Sequence, residues 1–186
     1  MKELVFFLEE PSAAEMLAGI LPRLLSDNVI PRFITFEGKQ DLERQLIRRL
    51  RGYQNPGAVF VVMRDQDSQP DCRVIKTRLA SMCQEAGRPD ALVRIACREL
   101  ESFYLADLSA VERGLGLSNV AKHQHGAKFR NPDQTVSPAV ELAKLSRGQY
   151  QKVSGSRAIS PYLDLENTRS PSFHNLIKGI RRIVAS

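Results

Sequence analysis

The segment VFVVMRDQDSQPD, residues 59–71, decides how the rest of the chain is read. Five apolar side chains in succession, three of them β-branched valines, are the pattern of a strand covered on both faces. Arg64, Asp65 and Asp67 then break the run, so the strand predicted over residues 58–65 drives straight into two like charges two positions apart.

Outward from that strand the chain alternates. Before it, DLERQLIRRLRGY (41–53) places Leu42, Leu46, Ile47 and Leu50 on one helical face and Arg44, Arg48 and Arg51 on the solvated one. After it, DCRVIKTRLASMCQEAG (71–87) predicts a helix with Gly87 just beyond its end. LVFFLE (4–9), PRFITFE (31–37) and ALVRIACRE (91–99) read as further strands. PSAAEMLAGILPRLLS (11–26) reads as a helix with Pro11 near its start and its last turns interrupted by Pro22. The order βαβαβαβ predicts an α/β fold: a parallel, Rossmann-like sheet of about four strands with helices on both faces, joined by right-handed crossovers.

Beyond residue 99 the pattern changes. One helix is expected over 100–116, a polar loop or flap over 118–138, and three helices around 138–146, 156–165 and 172–185. No linker divides the chain. Residues 1–108 are taken as the α/β core and 109–186 as a basic helical extension packed on it, a single structural domain overall.

Composition narrows the class. A chain of 186 residues buries about two-thirds of its unfolded surface and needs no disulfide or zinc scaffold. No apolar run approaches the roughly 20 residues of a membrane span. Acidic residues directly after LVFFL argue against a leader peptide. Cys72, Cys83 and Cys97 are odd in number and lack paired spacing, which predicts reduced thiols in a cytoplasm. The formal charge of +6 is uneven: residues 140–186 hold eight Lys/Arg against three Asp/Glu, and residues 1–139 hold nineteen against eighteen. A basic C-terminal quarter suits a polyanion such as DNA or RNA; a merely solvated basic face is the alternative.

Ligands of an open parallel sheet bind outside the carboxyl ends of its strands. There the sequence places Glu9 and Glu10 after strand one, Asp65 and Asp67 after strand three, and Glu99 and Glu101 after strand four. Like charges raise one another's pKa unless a cation lies between them. Mg²⁺ or Mn²⁺ suits a set of hard oxygen donors, and such a site supports phosphoryl transfer. Asp-x-Asp grips a metal either on one strand face or around a turn. Arg64 beside the pair, Lys152 and Arg157 in YQKVSGSRAIS, and Lys178, Arg181 and Arg182 in the last helix are the candidate phosphate-binding cations.

These residues, in this order, resemble the Toprim catalytic domain of topoisomerases, primases and OLD nucleases: a glutamate ends the first strand (Glu9 in FFLEEPS) and an Asp-x-Asp ends the third (Asp65 and Asp67 in VVMRDQD). RELESFYLAD, with Glu101, and the tail segments SGSRAIS and RSPSFHNLIKGIRRI are similar to small bacterial Toprim-like proteins related to RloB. The resemblance implies a Mg²⁺-dependent nuclease acting on DNA or RNA, with Glu9, Asp65, Asp67 and Glu101 as catalytic residues; Lys152, a cation of the basic tail, is expected to complete the catalytic set. It also implies phage defence alongside an ATPase partner of the ABC or SMC type. Glu10 departs from it, because a glycine usually follows the first glutamate, which leaves Glu9 and Glu10 both open as the working acid. A non-catalytic binding or regulatory subunit of an ATPase complex is the other reading. The sequence sets no oligomeric state.

Other patterns carry less. His123 and His125 in HQH, with His174, lack a further nearby ligand. Ser12, Ser154 and Ser172 have no histidine placed by a motif. SGS before Arg157 either nestles a phosphate at a helix start or supplies a plain cap through Ser156. No P-loop or GxGxxG occurs.

Overall fold

A strand with no exposed face needs cover on both sides, and Leu4–Leu8 and Phe60–Val62 are fully buried. In the computed structural model, which describes residues 1–185, four strands form that layer: β1 (Lys2–Leu8), β2 (Val29–Thr35), β3 (Val59–Asp65) and β4 (Leu92–Ala96). All pairings are parallel and the order is β2-β1-β3-β4. The expected α/β sheet is therefore present, with a reversal of strand order between β1 and β3.

Period-two alternation assigns the faces. Leu4, Phe6, Leu8, Val61 and Met63 pack with α1 (Pro11–Ile20) and the C-terminal helices. Val5, Phe7, Phe60 and Val62 pack with α2 (Lys39–Arg51) and α3 (Cys72–Glu85). α2 contributes Leu42, Leu46 and Leu50, the expected stripe. α3 is capped by Asp71, whose side chain accepts from the Arg73 amide at 2.8 Å. α1 stops at Ile20 and tightens into a 3₁₀ turn over Leu21–Arg23, where Pro22 removes a helical donor.

The chain after β4 covers the α1 face. The single helix expected over 100–116 is two: α4 (Glu101–Leu105) and α5 (Leu108–Gly114). Asp107 breaks them apart, because its carboxylate caps the Ala110 amide at 3.1 Å and accepts from the Asp164 amide at 2.8 Å. The segment read as a polar loop or flap instead holds three 3₁₀ turns, pinned by side-chain hydrogen bonds and a buried ring. Gln124 accepts from the Leu108 amide and donates to the Leu105 carbonyl, Glu112 accepts from the Val120 and Ala121 amides, and Phe129 is buried.

α6 (Pro138–Leu145), α7 (Lys152–Ile159) and α8 (Pro171–Ala185) complete the chain. Because α7 starts at Lys152, Ser156 lies buried in its middle and is neither a cap nor a phosphate nest. α8 runs back along β4: the Cys97 amide donates to Ser172 Oγ at one end and Lys2 Nζ to the Ile183 carbonyl at the other.

Two close approaches seat α7. A Cβ on Gly19 of α1 would fall 2.0 Å from Ser160 Oγ, and one on Gly114 would fall 2.6 Å from the Ala158 carbonyl oxygen and from Ile159 Cα. At Gly114 the obstacle is backbone, which cannot rotate away. Gly114→Ala is therefore expected to cost about 1–3 kcal/mol through overpacking. The melting temperature should fall about 2–4 °C per kcal/mol, read by a circular-dichroism melt. An unchanged melt would mean that α7 is not held at this point.

Candidate active site

The reversal of strand order between β1 and β3 opens a crevice at their carboxyl ends, and the carboxylates gather there. The register pairs Leu8 with Met63, so alternation continued past the strand ends sends Glu10 and Asp65 to the α1 face and Glu9 and Arg64 to the α2 face. Five of the six acids expected as one set are divided between an inner and an outer group, and Glu99 joins neither.

The inner group is Glu10, Asp65 and Glu101 with Lys152. Asp65 is 8% exposed and Glu101 fully buried. Lys152, delivered by the first turn of α7, lies 3.2 Å from each Glu10 oxygen. Tyr150 donates to Glu101 Oε1 at 2.8 Å, while Glu101 Oε2 has no hydrogen-bond partner. Tyr104 is fully buried beside them, its hydroxyl facing Ser156. Burial, then the charges of Glu101, Glu9 and Glu10, push the Asp65 carboxyl well above its ordinary range. Burial raises Glu101 too, against the opposing pull of Lys152 and the Tyr150 hydroxyl. Burial favours the neutral form of Lys152, but Glu101, Glu10 and Asp65 outweigh it and raise its pKa.

The outer group surrounds Arg64, only 3% exposed. Its guanidinium bonds Glu43 Oε1 at 2.6 Å, lies 3.8 Å from Glu9 Oε2 and 3.5 Å from Asp67 Oδ2, and donates through Nε to the Asp65 carbonyl. Glu9 Oε2 also accepts from the Asp65 amide at 3.0 Å, which puts Glu9 at the rim between the groups. Burial raises its pKa; the Asp65 amide and Arg64 oppose this and Asp67 adds to it. Asp67 takes a left-handed conformation, φ 56°, so the Asp-x-Asp pair bends around a turn instead of sharing a strand face. The turn is tied down by Asp67 N donating to the Arg98 carbonyl at 2.7 Å, and it delivers the Asp67 carboxylate to Lys39 at 2.7 Å.

The other expected residues stand apart. Glu99 accepts from the Ala139 amide at the start of α6. Arg157 is held by both oxygens of Glu15 at 2.7 Å, which takes its fork away from a phosphate. Arg181 pairs with Glu166. Lys178, Arg181 and Arg182 are exposed on α8, whose rise of about 1.5 Å per residue carries Arg181 about 14 Å from Ser172 toward the amino ends of the strands. Arg64, expected beside the acids as a phosphate ligand, is a buried counter-ion. Lys39, Glu43 and Tyr150 were not singled out from sequence. Lys39 opens α2 directly after β2, so the carboxyl-edge rule would have found it if applied to cations; Glu43, four residues on, shares its helical face.

Among the described residues no three His, Cys, Asp or Glu side chains stand at metal-holding spacing, the three inner acids included. The inner donor chemistry nevertheless fits a hard divalent cation: two buried carboxyls, one with an oxygen that nothing else satisfies.

The architecture is that of an α/β protein with its polar centre at the switch point of a four-stranded parallel sheet. It is similar to the solved C-terminal region of the Burkholderia pseudomallei OLD protein, with 17% identity and a TM-score of 0.58 over 97% of this chain and 98% of that one. The chain belongs to the family described as a domain of unknown function, DUF4276, which matches residues 8–181. No curated protein matches the sequence.

Proposed function

We propose that this chain is a nuclease that hydrolyses phosphodiester bonds in DNA or RNA with the help of Mg²⁺ or Mn²⁺. One observation carries the reading: Glu10, Asp65 and Glu101, far apart in sequence, gather around Lys152 at the carboxyl ends of β1 and β3, and a buried Glu101 oxygen there lacks a partner. The Toprim-like order of the acids and the OLD-like fold support it.

Asp65, Glu10 and Glu101 are the residues that would hold a divalent cation, with Glu9 at the rim. A bound cation lowers the pKa of water and offsets charge on a phosphate. Lys152 balances the inner carboxylates and brings a donor to the crevice. Tyr150 fixes Glu101, and Arg64 fixes Glu9 and Asp67. Phage defence beside an ABC- or SMC-type ATPase partner in the cytoplasm extends this reading, supported by the RloB-like tail segments.

The test is cleavage of plasmid DNA and of RNA in Mg²⁺ or Mn²⁺, alone and with a co-encoded ATPase. Cleavage absent in every arm, or unchanged by Asp65→Asn, rejects the reading. A second reading, a non-catalytic subunit that binds an ATPase or nucleic acid, draws on the ion pairs that already satisfy Glu10, Asp67 and Glu43 through Lys152, Lys39 and Arg64. Mn²⁺ calorimetry separates the two: heat that vanishes in Asp65→Asn favours the nuclease, and no heat favours the module.

A further inference from the structure

Several of the cations that the sequence offers to a polyanion are already engaged. Arg64, Lys152, Arg157 and Arg181 hold carboxylates, and α8 carries its exposed bases away from the acids. Unspent positive charge near the crevice lies elsewhere. A cavity of about 510 Å³ opens between the turn after α5 and the loop joining α6 to α7, lined among others by Ser118, Asn119, Lys122, His123, Arg147 and Gln149. No Asp or Glu lines it. Lys122, His123 and Arg147 are exposed, and among the described residues no ion pair engages their side chains. Nearby Lys128 and Lys144, by contrast, both close on Glu141.

Arg147 stands at φ 52° in the left-handed cap that ends α6, closed by its own amide donating to the Lys144 carbonyl at 3.1 Å and the Gly148 amide to the Ala143 carbonyl at 2.8 Å. Asn119 across the cavity is also left-handed, at φ 63°. The same loop continues into the inner acids: Gln149 lines the cavity, Tyr150 bonds Glu101 and Lys152 pairs with Glu10. Three residues span at most about 10 Å, so the cavity rim lies within roughly three phosphate spacings of Lys152.

We propose that this cavity is a phosphate-binding subsite for a nucleic-acid strand running from the acidic crevice, with Lys122 and Arg147 each holding a backbone phosphate and Ser118, Asn119 and Gln149 supplying neutral hydrogen bonds. The choice of nucleic acid rests on the nuclease reading. The placement of free charge beside the crevice does not.

The test is fluorescence anisotropy of a labelled single strand of about 12 nucleotides, within the range one binding module covers, titrated in EDTA over a series of KCl concentrations. Wild type is compared with Lys122→Gln/Arg147→Gln and with Lys178→Gln/Arg182→Gln, which removes the same charge from α8. Losing two phosphate contacts on a single strand should lower the salt slope by about 1.4 and the affinity at 0.1 M KCl by about 25-fold. The α8 variant should keep the wild-type slope. No binding by wild type, an unchanged slope in the cavity variant, or an equal loss in the α8 variant overturns the proposal. Because EDTA removes any cleavage, a failed nuclease assay alongside a lost slope would reject the nuclease reading alone.

Discussion

Asp65→Asn is expected to abolish cation-dependent phosphodiester cleavage, by about 100- to 1,000-fold or more, and at the same time to make the cation-free protein more stable at neutral pH. The first effect is the loss of a charged oxygen at the centre of the inner group, comparable to removing one preorganised electrostatic group from an active site. The second follows from burial. Asp65, Glu101 and Glu9 all have carboxyl pKa values raised in the folded chain. Between the ordinary carboxyl range of about 4 and these raised values the folded state holds more protons than the unfolded one, so stability is full below that range and declines as pH rises through it. In EDTA the melting temperature should therefore fall as pH rises from 5 towards 8, and the fall should be shallower in Asp65→Asn, where the raised Glu101 and Glu9 remain. Glu3, Glu15, Asp41, Glu141 and Glu166 have lowered values and lose their contribution only at more acid pH, outside this window. Added Mn²⁺ should restore the wild-type melt at pH 8 and leave the Asp65→Asn melt unchanged. A wild-type melting temperature that is flat or rising from pH 5 to pH 8 would show that burial does not hold these carboxyls above their ordinary range.

Arg64→Met should be the most damaging change outside the inner group. Arg64 is nearly inaccessible and faces Glu43, Glu9 and Asp67 together. Arg78 would still neutralise Glu43 and Lys39 would still neutralise Asp67, but Glu9 would lose its counter-ion. Removing one member of a buried charge set costs about 3–5 kcal/mol, chiefly through the charge left behind, which urea denaturation at pH 7 would measure. The double variant Arg64→Met/Glu9→Gln should recover part of the loss, because the stranded carboxylate is gone; a double-mutant cycle reports that coupling. A cost below about 1 kcal/mol for the single variant would mean that water reaches Arg64 and the outer group is a surface network.

The α/β sheet was legible because its evidence is local. Val59–Met63 is apolar without alternation, Leu42, Leu46 and Leu50 recur at helical spacing, and Asp71 and Gly87 mark the start and end of α3. The carboxyl-edge rule also placed Glu9, Glu10 and Asp65 at the carboxyl ends of β1 and β3, since strand order does not change which end of a parallel strand is which. Less legible were features that depend on partners distant in sequence. The helix expected over 100–116 broke at Asp107, whose second oxygen serves Asp164, and the expected flap of 118–138 was pinned by Gln124, Glu112 and Asp133. Periodicity has no means of seeing such contacts.

The sequence by itself determined that four strands alternate with helices, that acids follow the first, third and fourth strands, and that positive charge is concentrated late in the chain. Only the tertiary structure decided how those charges are shared. Strand parity across the β1–β3 register sends Glu10 and Asp65 to one face and Glu9 and Arg64 to the other, and packing decides which cations are already spent on carboxylates. The reason is physical: side-chain direction alternates within a strand and can be read along the chain, whereas the pairing of two charges depends on distance in space, which sequence separation does not encode.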